Sequence, residues 1–227
     1  MDGKATRTFR IDTCPYGDAD IYLSNEAKIE SGVTLFLGCN GAGKTTLMRQ
    51  LEDGLKKHAD TVASYWYDGA SADRKLSFKA SMGTGTGTMD YLLSKFLSEG
   101  ENLQYRLETM VKDLGLFVKE AEDGGKEEAW IFFDSLDSGW SIDKMSEFAE
   151  FLNGTVLADE SEKLRIFVIV AANSYEFARI PEWNRLDVQT MAYLPEFGSY
   201  ENYRDYVFRS RNRKVDIWSG RKRRGKL

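Results

Sequence analysis

Cysteine and histidine are scarce in this 227-residue chain, which has two of the first and one of the second. Cys14 and Cys39 show no metal-ligand spacing, which excludes a cysteine-built metal module and fits a reducing compartment. The lone histidine, His58, falls in a polar stretch and reads as a surface residue. No apolar run approaches the roughly 20 residues of a membrane span, so none is expected. Met1–Arg7 lacks the apolar core of a secretion signal, and a cytoplasmic location is expected. What is present is an ordinary globular composition, 42% hydrophobic and 30% charged, of a length that suits one large α/β domain.

Net charge is −5, unevenly placed. Residues 204–227 hold ten Lys or Arg against Asp205 and Asp216, a local +8 that leaves −13 for residues 1–203. The basic segment 211–227, ending in Arg221-Lys222-Arg223-Arg224-Gly225-Lys226, reads as a C-terminal tail beside a domain of residues 1–210. Such a run suits nucleic acid, an acidic partner or simple solvation. Arg204, Arg209, Arg211, Arg213 and Lys214 form the candidate contact strip.

Residues 38–45 read GCNGAGKT, and the apolar run Val33–Leu37 leads into them as a buried strand should. Strand, glycine loop, Lys-Thr and helix follow in the order of a phosphate-binding loop. Glycines let successive N–H groups turn toward phosphate oxygens, Lys44 reaches the outer phosphates, and the Thr45 hydroxyl suits Mg²⁺. Gly38, Asn40, Gly41, Ala42, Gly43, Lys44, Thr45 and Thr46 are the candidate nucleotide-binding set. Cys39 contributes backbone only. The helix opening at Thr45 turns its positive end to the same anion.

Elsewhere the pattern alternates strands and helices. Thr8–Asp12 and Asp20–Leu23 read as short strands, Thr61–Tyr67 as another, and Gly83–Thr88 as a low-complexity connector. Leu103, Leu107, Met110, Val111, Leu114, Phe117 and Val118 keep helical spacing, and Glu120–Glu128 reads as an acidic turn. Trp130–Phe133 is a buried strand ending in Asp134. Ile142, Met145, Phe148, Ala149 and Leu152 mark the next helix, and Arg165–Ala171 the next buried strand, with Asn173 at its C-terminal end. An Asp ending a strand is by itself a common turn residue. Standing 90 residues after Lys44, it fits the carboxylate that holds Mg²⁺ opposite Thr45.

The succession GCNGAGKTT, Leu97-Ser98-Glu99-Gly100-Glu101 and Phe133-Asp134-Ser135-Leu136-Asp137-Ser138-Gly139 resembles the ATP-binding-cassette (ABC) ATPases in motif order. Leu97–Glu101 resembles the family's LSGGQ signature; alone it would be only a turn before a helix. The resemblance spans about residues 8–210, with a helical signature region near 75–125. It implies an ABC-like mixed sheet flanked by helices, Mg²⁺ and ATP as ligands, and a head-to-tail homodimer in which Ser98 and Gly100 of one subunit meet the nucleotide held by Lys44 of the other. The soluble SMC-like and RecF-like branch is the nearer one. Only 52 residues separate Lys44 from Leu97, with no heptad run, so no long coiled coil is expected.

Three departures bear on mechanism. The family's Glu after the metal-side Asp is Ser135 here, a poor base. The His that ends the late strand is matched by Asn173, which donates a hydrogen bond but carries no charge. No glutamine follows the Thr61–Tyr67 strand, and Asp68 is the nearest polar substitute; Asp137 is a further candidate carboxylate. Lys44, Asp134, Ser135, Asp137 and Asn173 are therefore the candidate catalytic residues, with Thr45 and Asp134 on the metal. Tyr16 or Tyr22 is expected to stack on the base. The expected activity is slow ATP hydrolysis. The alternatives are a non-catalytic ATP-gated switch acting on a partner such as a nuclease, and a DNA repair or defence factor. A small-molecule kinase would share the loop without needing the signature.

Overall fold

The computed structural model describes residues 4–17, 20–69, 99–136, 140–156 and 164–224, with the side chains of 99–106, 155–156 and 218–224 outside the description. Eight strands and five α-helices follow in chain order among the described residues. They are β1 (Thr6–Arg10), β2 (Glu26–Glu30), β3 (Gly32–Leu37), α1 (Lys44–Leu55), β4 (Val62–Asp68) and α2 (Glu99–Asp123), then β5 (Glu128–Asp134) and α3 (Ile142–Phe151). The chain continues through β6 (Arg165–Ala171), α4 (Tyr175–Ala178), β7 (Asn184–Asp187), β8 (Ala192–Tyr193) and α5 (Tyr200–Arg224).

The chain is an α/β protein with a six-stranded, mostly parallel sheet flanked by helices, in the order β4-β5-β6-β3-β7-β8. Within this sheet only the β7–β8 pair is antiparallel. Strands β3, β5 and β6 are near-continuous apolar runs because helices or the hairpin cover both of their faces. Period-2 alternation sorts their side chains into two cores. Leu35, Leu37, Ile131, Phe133, Val168 and Val170 face α2, α3 and α5, whose Leu107, Met110, Leu114, Phe148, Tyr203 and Tyr206 complete that layer. Phe36, Trp130, Phe132, Phe167 and Ile169 face α1 and the β1–β2 hairpin. There Trp130 stacks on Phe167 with ring centroids 4.2 Å apart, and Phe9 meets Trp130 edge-on at 5.3 Å. Each such side chain contributes roughly 1.5–3 kcal/mol through burial, so this aromatic layer is a principal source of stability.

Some sequence expectations change. Asp20–Leu23 is irregular; the partner of β1 is β2, antiparallel, with Phe9 opposite Ala27. Tyr22 leaves the strand pattern because its ring packs under the glycine loop. The acidic turn is also shorter than expected, since α2 runs to Asp123 and β5 begins at Glu128. Ile142 opens α3 on its exposed side, while Met145, Phe148 and Ala149 are buried. Gly83–Thr88 lies outside the described residues. Helix α5 runs unbroken across position 210, so the boundary expected there falls inside a helix. Among the described residues, no helix is long and apolar enough to cross a membrane.

Register places the functional edge. Asp68 stands opposite Asp134, Asp134 opposite Ala171, and Phe36 opposite Ala171 on the other side of β6. The C-terminal ends of β4, β5, β6 and β3 therefore align. Strand β3 sends the chain to the far edge at β4, whereas β6 sends it past β3 to β7, so the crevice opens beside β3, where open α/β sheets place ligands.

Candidate functional site

The loop from Gly38 to Gly43 leaves β3 at this crevice. Gly41 and Gly43 have φ of +72° and +99°, left-handed values that favour glycine. At Gly43 a Cβ would also fall 2.9 Å from the Tyr22 ring. Among the described residues, the N–H groups of Asn40, Gly41 and Gly43 make no protein hydrogen bond. Helix α1 starts at Lys44 with no side-chain cap, adding its positive end to those amides. The result is a concave set of donors suited to an anion.

Lys44 and Asn173 meet at this loop. The Lys44 ammonium donates to the Gly38 carbonyl at 3.0 Å and to Asn173 Oδ1 at 2.8 Å. Asn173 Nδ2 donates to Asn40 Oδ1 at 2.7 Å, and the Asn173 carbonyl accepts from Tyr203 Oη at 2.6 Å. An exposed amide on the end of β6 is thereby fixed from three sides.

On the β5 side, Thr45 Oγ1 donates to Asp134 Oδ1 at 3.1 Å. Asp134 is 7% exposed, and its carboxyl is pushed above the usual carboxylate range by burial, with nearby Asp68 adding to the rise. The Thr45 hydroxyl and Lys44 oppose that shift. A buried carboxylate, a second carboxylate and a hydroxyl are hard oxygen donors of the kind Mg²⁺ takes. Among the described residues no group of three or more His, Cys, Asp or Glu converges.

Ser135 follows at φ +54°, a left-handed conformation uncommon for serine. The neighbouring chain explains the tightness: Gly69 N–H donates to the Asp134 carbonyl at 2.9 Å, and a Cβ on Gly69 would lie 2.6 Å from the Ser135 carbonyl oxygen.

The remaining sequence candidates separate. Tyr22 is 1% exposed and its hydroxyl donates to the Gly43 carbonyl at 2.7 Å, so it props the loop from beneath and is not available to stack on a base. Tyr16 is 64% exposed, with its hydroxyl 2.7 Å from Thr46 Oγ1. Cys39 is buried, and its N–H is taken by Ser210. Ala42 packs into the core below the loop. His58 is exposed in a short 3₁₀ turn, as expected. Ser98 and Asp137 lie outside the described residues, and Gly100 sits in the first turn of α2, which begins at Glu99, inside the signature-like segment.

Sequence reasoning missed the contribution of α5. Tyr203 holds Asn173. Ser210 Oγ accepts from Cys39 N–H at 3.0 Å and donates to Gln189 Oε1 at 2.8 Å, while Lys214 Nζ donates to the Asn40 carbonyl at 2.9 Å. Arg213 pairs with Asp187, a carboxylate 2% exposed at the end of β7. The signal was present: Tyr203, Tyr206, Ser210 and Arg213 recur at helical spacing, but their polarity and the surrounding arginines disguise an inward face. Arg213 and Lys214 are thus committed to the protein body, leaving Arg204, Arg209 and Arg211 as the exposed members of the expected basic strip.

No protein-family model matches the chain, and no curated protein and no solved structure matches it.

Proposed function

We propose that this protein is an ABC-type P-loop ATPase that binds Mg²⁺ and ATP at the Gly38–Thr46 loop and turns ATP over slowly. The observation that carries the reading is the convergence at one crevice of unbonded loop amides, Lys44, and the Thr45–Asp134 pair at 3.1 Å. Loop amides and Lys44 would bind and orient the phosphates; Asn173, already bonded to Lys44, would donate its amide toward the terminal one. Thr45 and Asp134, with Asp68 beside them, would hold Mg²⁺, which when bound offsets phosphate charge. Tyr16 is the aromatic left for the base. The motif order supports a head-to-tail dimer completed by Ser98 and Gly100.

Slow turnover follows from Ser135. A neutral hydroxyl on a constrained turn is a weak acceptor for a proton from water, and Asp68 is the described carboxylate nearest in register to Asp134. The same observation favours a second reading, an ATP-gated switch that closes without chemistry and acts on a nuclease or other effector. Exposed Arg204, Arg209 and Arg211 would offer such a partner, or nucleic acid, a basic face whose binding falls steeply with salt.

Steady-state turnover and Mg·ATP binding in the native chain, Lys44→Ala and Ser135→Glu separate the readings. Turnover lost in Lys44→Ala supports the ATPase. Tight binding without turnover, gained in Ser135→Glu, supports the switch. Native protein that binds no ATP overturns both.

A further inference from the structure

Lys44 is the lysine that the loop motif supplies, yet the structure brings a second one to the same loop from 170 residues further along the chain. Lys214 Nζ lies 2.9 Å from the Asn40 carbonyl. A Cβ built on Gly41 would come within 2.5 Å of that nitrogen, so the left-handed glycine also makes room for the ammonium. Among the described residues Lys214 pairs with no carboxylate. Its neighbour Arg213 does, with buried Asp187, and Ser210 one turn earlier receives the Cys39 N–H. These two anchors fix the rotation of α5 and aim position 214 at the loop. Lysine at this position therefore does not read as a solvated member of a basic tail.

Asn40 joins the two lysines. Its carbonyl accepts from Lys214, its side-chain oxygen accepts from Asn173 Nδ2, and Asn173 Oδ1 accepts from Lys44. Lys214 thus holds the backbone of the same residue whose side chain meets Asn173, the amide proposed to donate toward the terminal phosphate. An ammonium has three donors on a flexible four-carbon stem, and one of its donors rests on an exposed backbone carbonyl. A phosphate oxygen is a stronger partner for it than a neutral carbonyl.

We infer that Lys214 is a second phosphate-binding cation, contributed by the C-terminal helix, that contacts the terminal phosphate and gives the site its preference for a nucleoside triphosphate over a diphosphate. The inference rests on the nucleotide-binding reading of the loop and adds a ligand contact that the loop motif does not contain. It also ties helix α5, and with it the basic C-terminal segment, to occupancy of the site.

Binding of a non-hydrolysable ATP analogue and of ADP, each with Mg²⁺, is measured by calorimetry for the native chain, Lys44→Ala, Lys214→Gln, Lys214→Met and Lys214→Arg. Removing one charge-assisted contact weakens binding by about tenfold or more. The expected result is that loss for the triphosphate in Lys214→Gln and Lys214→Met, with ADP affinity within about twofold of native by the same reasoning. Lys214→Arg should retain most of the triphosphate preference, because it keeps the charge. Unchanged triphosphate affinity in both neutral variants overturns the inference, as does an equal loss for ADP. Native protein that binds neither nucleotide, or Lys44→Ala that binds both normally, overturns the underlying reading instead.

Discussion

Asn173 bridges Lys44 and Asn40: its Oδ1 accepts from the lysine at 2.8 Å while its Nδ2 donates to the asparagine at 2.7 Å. The amide holds the ammonium over the loop without neutralising it. Asn173→Asp would place an anion against Lys44 and oppose an incoming phosphate, whereas Asn173→Ala only removes the tether. Calorimetric titration with Mg·ATP should show a loss of about tenfold or more for Asp and a smaller one for Ala. Equal affinities for the two variants would contradict this arrangement.

Asp134 gives a pH prediction. Its carboxyl is raised in the folded state, chiefly by burial, so folding binds its proton more tightly than unfolding does. The resulting penalty is absent below the ordinary carboxylate range and fully present once pH exceeds the raised value. Asp134→Asn removes the penalty while keeping an acceptor for Thr45. Thermal melts without nucleotide should place this variant above the native chain at neutral pH, with the gap closing as pH falls. The same variant should lose Mg²⁺-dependent nucleotide binding.

Gly43→Ala tests the support under the loop. At φ +99° with Tyr22 only 2.9 Å from the added carbon, alanine is strained twice over. A destabilisation of roughly 1–3 kcal/mol is expected in denaturant unfolding. Pairing it with Tyr22→Leu should recover part of the loss, since the steric component goes with the ring.

Arg213→Ala tests whether α5 belongs to the domain. Asp187 would remain 2% exposed without its guanidinium, and Arg213 is itself 30% exposed, so the cost should fall somewhat below that of a fully buried pair, about 2–4 kcal/mol. The double variant with Asp187→Asn should be more stable than Arg213→Ala alone. A freely solvated tail would show neither effect.

Tyr206→Phe should move stability the other way. Its hydroxyl is buried without a hydrogen-bond partner among the described residues, so deleting it should leave the unfolding midpoint unchanged or raise stability by up to about 1 kcal/mol.

Much of this architecture was legible along the chain. Val33–Leu37, Trp130–Phe133 and Arg165–Ala171 are apolar enough on both faces that a buried parallel strand is the natural reading, and all three lie at the centre of the sheet. The glycine loop was legible because its chemistry is local: spacing alone puts Lys44 and Thr45 at the start of a helix. Asp20–Leu23 misled because Tyr22 is buried by a loop contact rather than by strand alternation. Helix α5 misled because a basic, tyrosine-bearing sequence can still bury one face when the sheet edge offers polar partners such as Asp187 and Gln189.

The sequence by itself determined the glycine loop, the central strands and the carboxylate at the end of β5, since each is written in contiguous residues whose periodicity and backbone preferences act over a few positions. Only the tertiary structure decided that Asp68 lies beside Asp134, that Asn173 links Lys44 to Asn40, and that from the last helix Tyr203 reaches Asn173 while Ser210 and Lys214 reach the loop. Those contacts join residues from 30 to 174 positions apart. They depend on strand order and helix rotation, which are set by how the two apolar layers close around the sheet and not by any local pattern.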